Sequence, residues 1–264
     1  ALERLASLRG KKMVVAVPSP YWVSYPALVK LVGGEVVYPN TYKNRNFNVS
    51  VAALREAFKG YEDSQKILIL NSPGNPAGQL YTREELIQIA RFVVENDLYV
   101  ISDEIYGLLT FDPERPHVSI ASLEKEVSGI RERTLVGTGL AKEMAGPGLR
   151  VGFMTSWNPE LVQLIRHFTV DGPDRIALGA ALGAYRNPGA YREHVRDHRR
   201  WLIQRKQKLE EALARNHLSH VRSYGAIYLF VDMNPFFGKF WRGEEITPEN
   251  VHDILHRGTK ILGV

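Results

Sequence analysis

Short apolar runs that stop at polar or Gly/Pro-rich turns are the feature that most limits the folds open to this chain. Residues 13–17 run into Pro18-Ser-Pro-Tyr-Trp22-Val-Ser-Tyr-Pro26, and residues 66–70 into Asn71-Ser-Pro-Gly-Asn75-Pro-Ala-Gly78. Residues 98–101 run into Ser102-Asp-Glu-Ile-Tyr106. A strand with no polar alternation suits a parallel sheet buried on both faces. Further strands are expected at 35–38, 134–136 and 151–154. Helical patterns lie between them, at 27–32 ahead of Gly33-Gly34, at 51–58, and after Thr82-Arg-Glu-Glu85. The last is a capping box that opens a helix with Leu86, Ile89, Ala90 and Val93 on its inner face. This alternation predicts an α/β fold, a mostly parallel sheet sandwiched by helices.

The flanking segments are less regular. Residues 1–10 read as the end of an amphipathic helix closed by Gly10, and 112–132 as a charged, irregular stretch. Asn187-Pro-Gly189 marks a break, after which 191–215 reads as one long helix with Val195, Leu202 and Leu209 at seven-residue steps. Its other face carries Arg192, Arg196, Arg199, Arg200, Arg205, Lys206 and Lys208. That face is read as the solvated side of a bridging helix rather than as a nucleic-acid surface. A strand at 223–231 and a helix at 248–256 are expected, and the chain stops at 261–264. The expected division is a large cofactor-binding α/β domain over 1–188, then a bridging helix and a partial α+β small domain over 189–264.

Composition narrows the classes. The 264 residues are enough for a proper core, and they contain no cysteine, which excludes disulfides and thiolate metal sites and fits a cytoplasmic protein. No apolar stretch reaches transmembrane length, so no membrane partner is expected. The opening Ala-Leu-Glu-Arg-Leu lacks a signal pattern and reads as mid-helix, so the chain is expected to be a fragment. His194/His198 and His252/His256 have the i,i+4 spacing of metal ligands, but without an acidic partner they are not read as a metal site.

The candidate chemistry centres on residues 138–152, where Lys142 stands in a Gly-rich stretch between two apolar runs, with Arg150 eight residues on. A lysine beside strand ends can lose hydration, and a desolvated amine is a usable nucleophile near neutral pH. Trp22, Asn75, Asp103 and Lys142 all follow predicted strand ends, and open parallel sheets bind ligands at that rim. Singly, each has a plainer reading: a solvated charge for Lys142 and Arg150, a helix N-cap for Asp103, a turn former for Asn75, packed aromatics for Trp22 and Tyr106.

Taken together, these stretches resemble the class I/II aminotransferases, fold-type I enzymes dependent on pyridoxal 5′-phosphate. The matching text is 20–26, 71–78, 102–106 and Lys142 with Arg150; Gly225-Ala-Ile-Tyr-Leu-Phe230 resembles the family's small-domain strand. The resemblance implies an amino-group transfer between an amino acid and a 2-oxo acid through a lysine Schiff base, in a homodimer. It implies that Lys142 carries the cofactor and shuttles a proton, and that Asp103 pairs with the pyridine nitrogen. Tyr106 and Asn75 would bond the phenolic oxygen, Trp22 would stack on the ring, and Arg150 would hold the phosphate. It also places cis peptides at Ser19–Pro20 and Asn75–Pro76. Other outcomes of the same chemistry (elimination, decarboxylation, synthesis) and a non-catalytic sensor or partner domain are the alternatives.

Two departures stand out. The family's serine three residues before the lysine is Gly139 here, with Thr138 the neighbouring substitute, and the usual threonine after Asn-Pro is Ala77. The phosphate-cradling turn is expected upstream of residue 1, and the arginine for the substrate carboxylate beyond Val264.

Overall fold

A computed structural model describes residues 1–43, 46–168 and 172–259. The order begins α1 (Leu2–Leu8), β1 (Met13–Ala16), α2 (Ser24–Leu31), β2 (Glu35–Val37) and α3 (Val51–Ala57). It continues with β3 (Gln65–Asn71), α4 (Arg83–Glu95), β4 (Tyr99–Asp103), β5 (Thr134–Gly139), α5 (Leu140–Glu143) and β6 (Gly152–Ser156). Then come α6 (Pro159–Phe168), α7 (Arg175–Arg186), α8 (Pro188–Arg215), β7 (Phe240–Trp241), β8 (Glu244–Glu245) and α9 (Val251–Thr259).

Strands β2-β1-β3-β4-β5-β6 form one sheet, parallel except for the antiparallel β5–β6 pair. Alternate side chains of a strand reach opposite faces, and along the central strands β1 and β3 both faces are covered. Val14, Ala16, Leu68 and Leu70 pack under α3 and α4 with Leu54, Leu86, Ile89 and Val93. Met13, Val15, Ile67 and Ile69 pack on the other face with Leu2, Leu5, Tyr25, Val29 and Leu161. This two-sided burial is why the strands read as unbroken apolar runs.

Thr82 caps α4 as expected: its side chain accepts from the Glu85 amide, and Glu85 returns a bond to the Thr82 amide. That helix buries Leu86, Ile89, Ala90, Phe92 and Val93. Truncating one such core leucine to alanine costs about 2–5 kcal/mol.

Several expectations are corrected. Helix α2 starts at Ser24, so Pro26 falls in its first turn, where a missing N–H costs nothing. Strand β5 runs through Thr138 to Gly139, and Lys142 stands on the one-turn helix α5 rather than in an open Gly-rich turn. The stretch 223–231 is not a strand. Ala226 has φ +65°, and the segment makes only isolated bridges, Thr110 with Gly225 and His220 with Val231. Helices α6 and α7 and the β7–β8 pair are additional to the elements expected from sequence. The break at Asn187 separates α7 from α8 as expected; the end at 261–264 lies outside the described residues.

Candidate active site

The carboxyl ends of β3 and β4 are level, and β5 runs two residues past them: Asn71 pairs with Asp103, and Asp103 with Gly137. The chain therefore leaves three adjacent strands at one rim. Asp103, the last residue of β4, is fixed on every side. Its carbonyl accepts from Asn71 Nδ2 at 3.0 Å and from the Ser72 amide at 3.2 Å. Its Oδ1 accepts from the Ile105 amide at 3.2 Å, and its Oδ2 from the Tyr25 hydroxyl. No helix begins at Asp103, so its side chain closes a local turn instead of capping. Burial pushes its carboxyl above the usual range, against the pull of the Tyr25 and Ile105 donors.

The Asp103–Tyr106 turn is held from beneath by Glu104. This buried carboxylate accepts from Ser102 Oγ at 2.7 Å and Ser119 Oγ at 2.6 Å, and lies 3.0 Å from His117 Nε2. Burial pushes Glu104 up, but these donors outweigh it and its pKa falls below the ordinary value. The Gly107 amide closes the turn on the Glu104 carbonyl at 2.8 Å.

Tyr106 is only 2% exposed. Its hydroxyl donates to that of Tyr228 at 3.3 Å, with the rings edge to face at 6.1 Å. Burial, then the Tyr228 hydroxyl, raises its pKa. Asn75 is oriented by Asn71, whose Oδ1 accepts the Asn75 amide at 2.7 Å, and its Nδ2 donates to the same Tyr228 hydroxyl at 3.4 Å. Lys142 Nζ lies 5.9 Å from the centre of the Tyr106 ring. Trp22, 40% exposed, stands edge-on to Tyr25 at 5.4 Å. Lys142, Tyr106, Asn75, Asp103 and Trp22 thus belong to one connected set.

Arg150 and Thr138 are not joined to that set by these bonds. Arg150 is exposed, in the left-handed region at φ 53°, and its Nη1 donates to the Pro147 carbonyl at 3.4 Å. Thr138 sits within β5 opposite Phe153. Gly139 leaves no room for a serine: a Cβ there would lie 2.7 Å from the Val151 carbonyl oxygen and 3.0 Å from Gly152 Cα. The peptides before Pro20 and Pro76 are cis as expected, and the one before Pro73 is cis as well.

Sequence reasoning missed Tyr25, Asn71 and Tyr228 as individual residues, although each lies in a motif that it quoted. Tyr228 is delivered by backbone packing. The Phe111 amide donates to Tyr224 O and the Ala226 amide to Leu109 O, at 2.8 and 3.1 Å, while the Tyr224 amide donates to Gly78 O at 2.8 Å. Gly78 favours glycine, because its φ is +64° and a Cβ there would lie 2.8 Å from Ser223 Cβ.

A half-buried amine, a buried phenol, an amide and a fixed carboxylate meet at the carboxyl rim of a parallel sheet, the place where open α/β sheets bind their ligands. The comparisons place the chain in a family. The family model "Aminotransferase class I and II" matches residues 1–250, and the chain belongs to that family. Its members use pyridoxal 5′-phosphate. It is 36% identical over 222 residues to aspartate aminotransferase of Bacillus subtilis (strain 168), covering 82% of this chain and 53% of that protein. It is 34% identical over 228 residues to aromatic-amino-acid aminotransferase 2 of Thermococcus litoralis, covering 86% of this chain and 56% of that protein. Among solved structures, the aromatic aminotransferase of Pyrococcus horikoshii OT3 superposes with a TM-score of 0.82 at 30% identity, covering 99% of this chain and 66% of that one. The aspartate aminotransferase of Thermus thermophilus with maleate gives 0.78 at 33% identity, covering 89% and 59%. The chain spans a little over half the length of the relatives it matches.

Proposed function

We propose that this chain forms the cofactor-binding part of a pyridoxal-phosphate-dependent aminotransferase that moves an amino group between an amino acid and a 2-oxo acid. The observation that carries the reading is the convergence of Asn75 Nδ2 and Tyr106 Oη on one acceptor oxygen, that of Tyr228, beside the Lys142 amine. Two donors aimed at one oxygen suit the phenolic oxygen of the cofactor ring. A carboxylate fixed by Tyr25 and Ile105 suits a protonated ring nitrogen. The donor set therefore fits the cofactor.

When bound, pyridoxal phosphate supplies an electron sink for the bonds at the substrate α-carbon. The protein does the rest. Lys142 would hold the cofactor at its aldehyde carbon, and its Nζ would take and return a proton. Asp103, held in place by Tyr25, would face the ring nitrogen as its counter-ion. Tyr106 and Asn75 would orient the ring through its oxygen. Trp22, 40% exposed and in a T-shaped pair with Tyr25, is proposed to stack on the ring. Arg150 and Thr138 are proposed for the phosphate on the resemblance alone.

Residues 1–188 are proposed as the large domain, and 189–264 as the bridging helix and part of a small domain. A homodimer in the cytoplasm is proposed on family grounds. Among the described residues no helix is long and apolar enough to cross a membrane.

The test is the half-reaction. Cofactor-loaded protein is mixed with single amino acids while the cofactor's absorbance and the released 2-oxo acid are followed. Conversion to the pyridoxamine form with one equivalent of 2-oxo acid supports the reading. Release of ammonia or carbon dioxide without that form assigns a lyase or decarboxylase instead.

A further inference from the structure

Glu143, the residue after Lys142, is 5% exposed, an unusual setting for a carboxyl group. Its Oε2 accepts the hydroxyl of Tyr191, in the first turn of α8, and its backbone carbonyl lies 3.2 Å from His198 Nδ1, two turns further along the same helix. The Tyr191 ring is itself braced. It packs on Tyr185 of α7 at 5.6 Å and joins the apolar cluster of Leu140, Val151, Ala177 and Ala181, against which Met144 also packs. Leu140 belongs to α5 and Met144 ends it, so both sides of the lysine's own turn are gripped by the same tyrosine's surroundings.

A four-residue helix has too few internal hydrogen bonds to hold its own orientation. Helix α5 is only Leu140–Glu143, and Lys142 is its third residue. Something outside must set where the amine points: the Leu140 amide bonds the Val151 carbonyl at 3.3 Å at the start of the turn, and the bonds at its end, on Glu143, come from α8.

We propose that Glu143 and Tyr191 are positioning residues that anchor α5 to α8 and so aim the Lys142 amine at the cofactor aldehyde. This rests on the aminotransferase reading above. Neither group touches the reacting atoms; they act through the short helix between them. The acceptor oxygen of Glu143 matters here, not its charge.

The test uses the full chain, stripped of cofactor and then mixed with pyridoxal phosphate. Borohydride quenches at timed intervals, and peptide mass mapping follows the modified fraction of Lys142, alongside the visible absorbance of the lysine-bound cofactor. Tyr191→Phe and Glu143→Ala are expected to slow Lys142 modification by about tenfold or more, the scale of a misplaced reacting group. Glu143→Gln, which keeps an acceptor for the Tyr191 hydroxyl, is expected within about threefold of the parent. Tyr191→Phe keeps the ring but removes a donor from a buried carboxyl, at a cost of about 1–3 kcal/mol, so its melting temperature should fall by only a few degrees and the variant should stay folded. Parent-like rates in Tyr191→Phe and Glu143→Ala, or a Glu143→Gln variant as slow as Glu143→Ala, overturn the proposal. A parent protein that is not modified at Lys142 overturns the aminotransferase reading instead.

Discussion

The hydroxyl of Tyr25 donates to Oδ2 of Asp103, joining the first turn of α2 to the end of β4 across 78 residues of sequence. Asp103 receives another donor on Oδ1 and two on its own carbonyl, so its carboxylate can stand at only one place on the rim. Tyr25 is buried, and burial, then the Asp103 charge, raises its pKa far above the ordinary phenol range. It is therefore a fixed donor at any working pH.

Replacing Tyr25 with phenylalanine removes that donor and leaves the ring. Losing a hydrogen bond to a buried charge costs about 1–3 kcal/mol, read as a lower melting temperature. The Asp103 carboxyl, already raised by burial, then rises further. Asp103 must be ionised to face a protonated ring nitrogen, so the acidic limit of cofactor binding is expected to move to higher pH. Titrating cofactor affinity against pH in the parent and in Tyr25→Phe checks this; an unmoved acidic limit contradicts it.

Glu104 makes a different prediction, because its folded pKa lies below the ordinary value. A carboxyl with a depressed folded pKa contributes its stability above the unfolded value of about 4.3 and loses it as pH falls through the folded value. The parent is thus expected to exceed Glu104→Gln in stability by about 1–3 kcal/mol near pH 7. The gap should close as pH drops below about 4. Denaturant melts at several pH values measure the difference, and a gap independent of pH would contradict the assignment.

Gly139 is expected to reject the serine that resembling enzymes carry at that position. A Cβ at 2.7 Å from a backbone oxygen cannot be relieved by a side-chain rotation. Gly139→Ser is expected to destabilise by about 1–3 kcal/mol, as overpacking does, without tightening cofactor binding. Thermal melts with and without pyridoxal phosphate test this, and a stabilised variant with stronger binding contradicts it.

Much of this molecule is legible in its text. Val14 to Ala16 and Ile67 to Leu70 are buried on both sides, so continuous apolar runs give the strands away, and Thr82 with Glu85 announces α4 by a local rule. The site motifs are visible for the same reason, since each follows a strand directly. Partnerships set by tertiary packing are not visible. Tyr25 meets Asp103, Tyr228 meets Tyr106 across 122 residues, and no local pattern says so. The stretch 223–231 has the composition of a strand, yet Gly225 is pressed within 2.7 Å (as a hypothetical Cβ) of the Leu109 carbonyl and Ala226 turns to positive φ, so tertiary packing overrides propensity there. The α7 sequence carries two glycines, Gly179 and Gly183, which lower helix propensity and obscure its apolar pattern.

The central claim is that the amine of residue 142 is the group that holds the cofactor. Borohydride reduction of the loaded, purified protein, followed by peptide mapping, tests it in one experiment. The account predicts a single pyridoxyl adduct, on Lys142, that vanishes in Lys142→Ala. An adduct on a different lysine, or none on the parent protein, would contradict it.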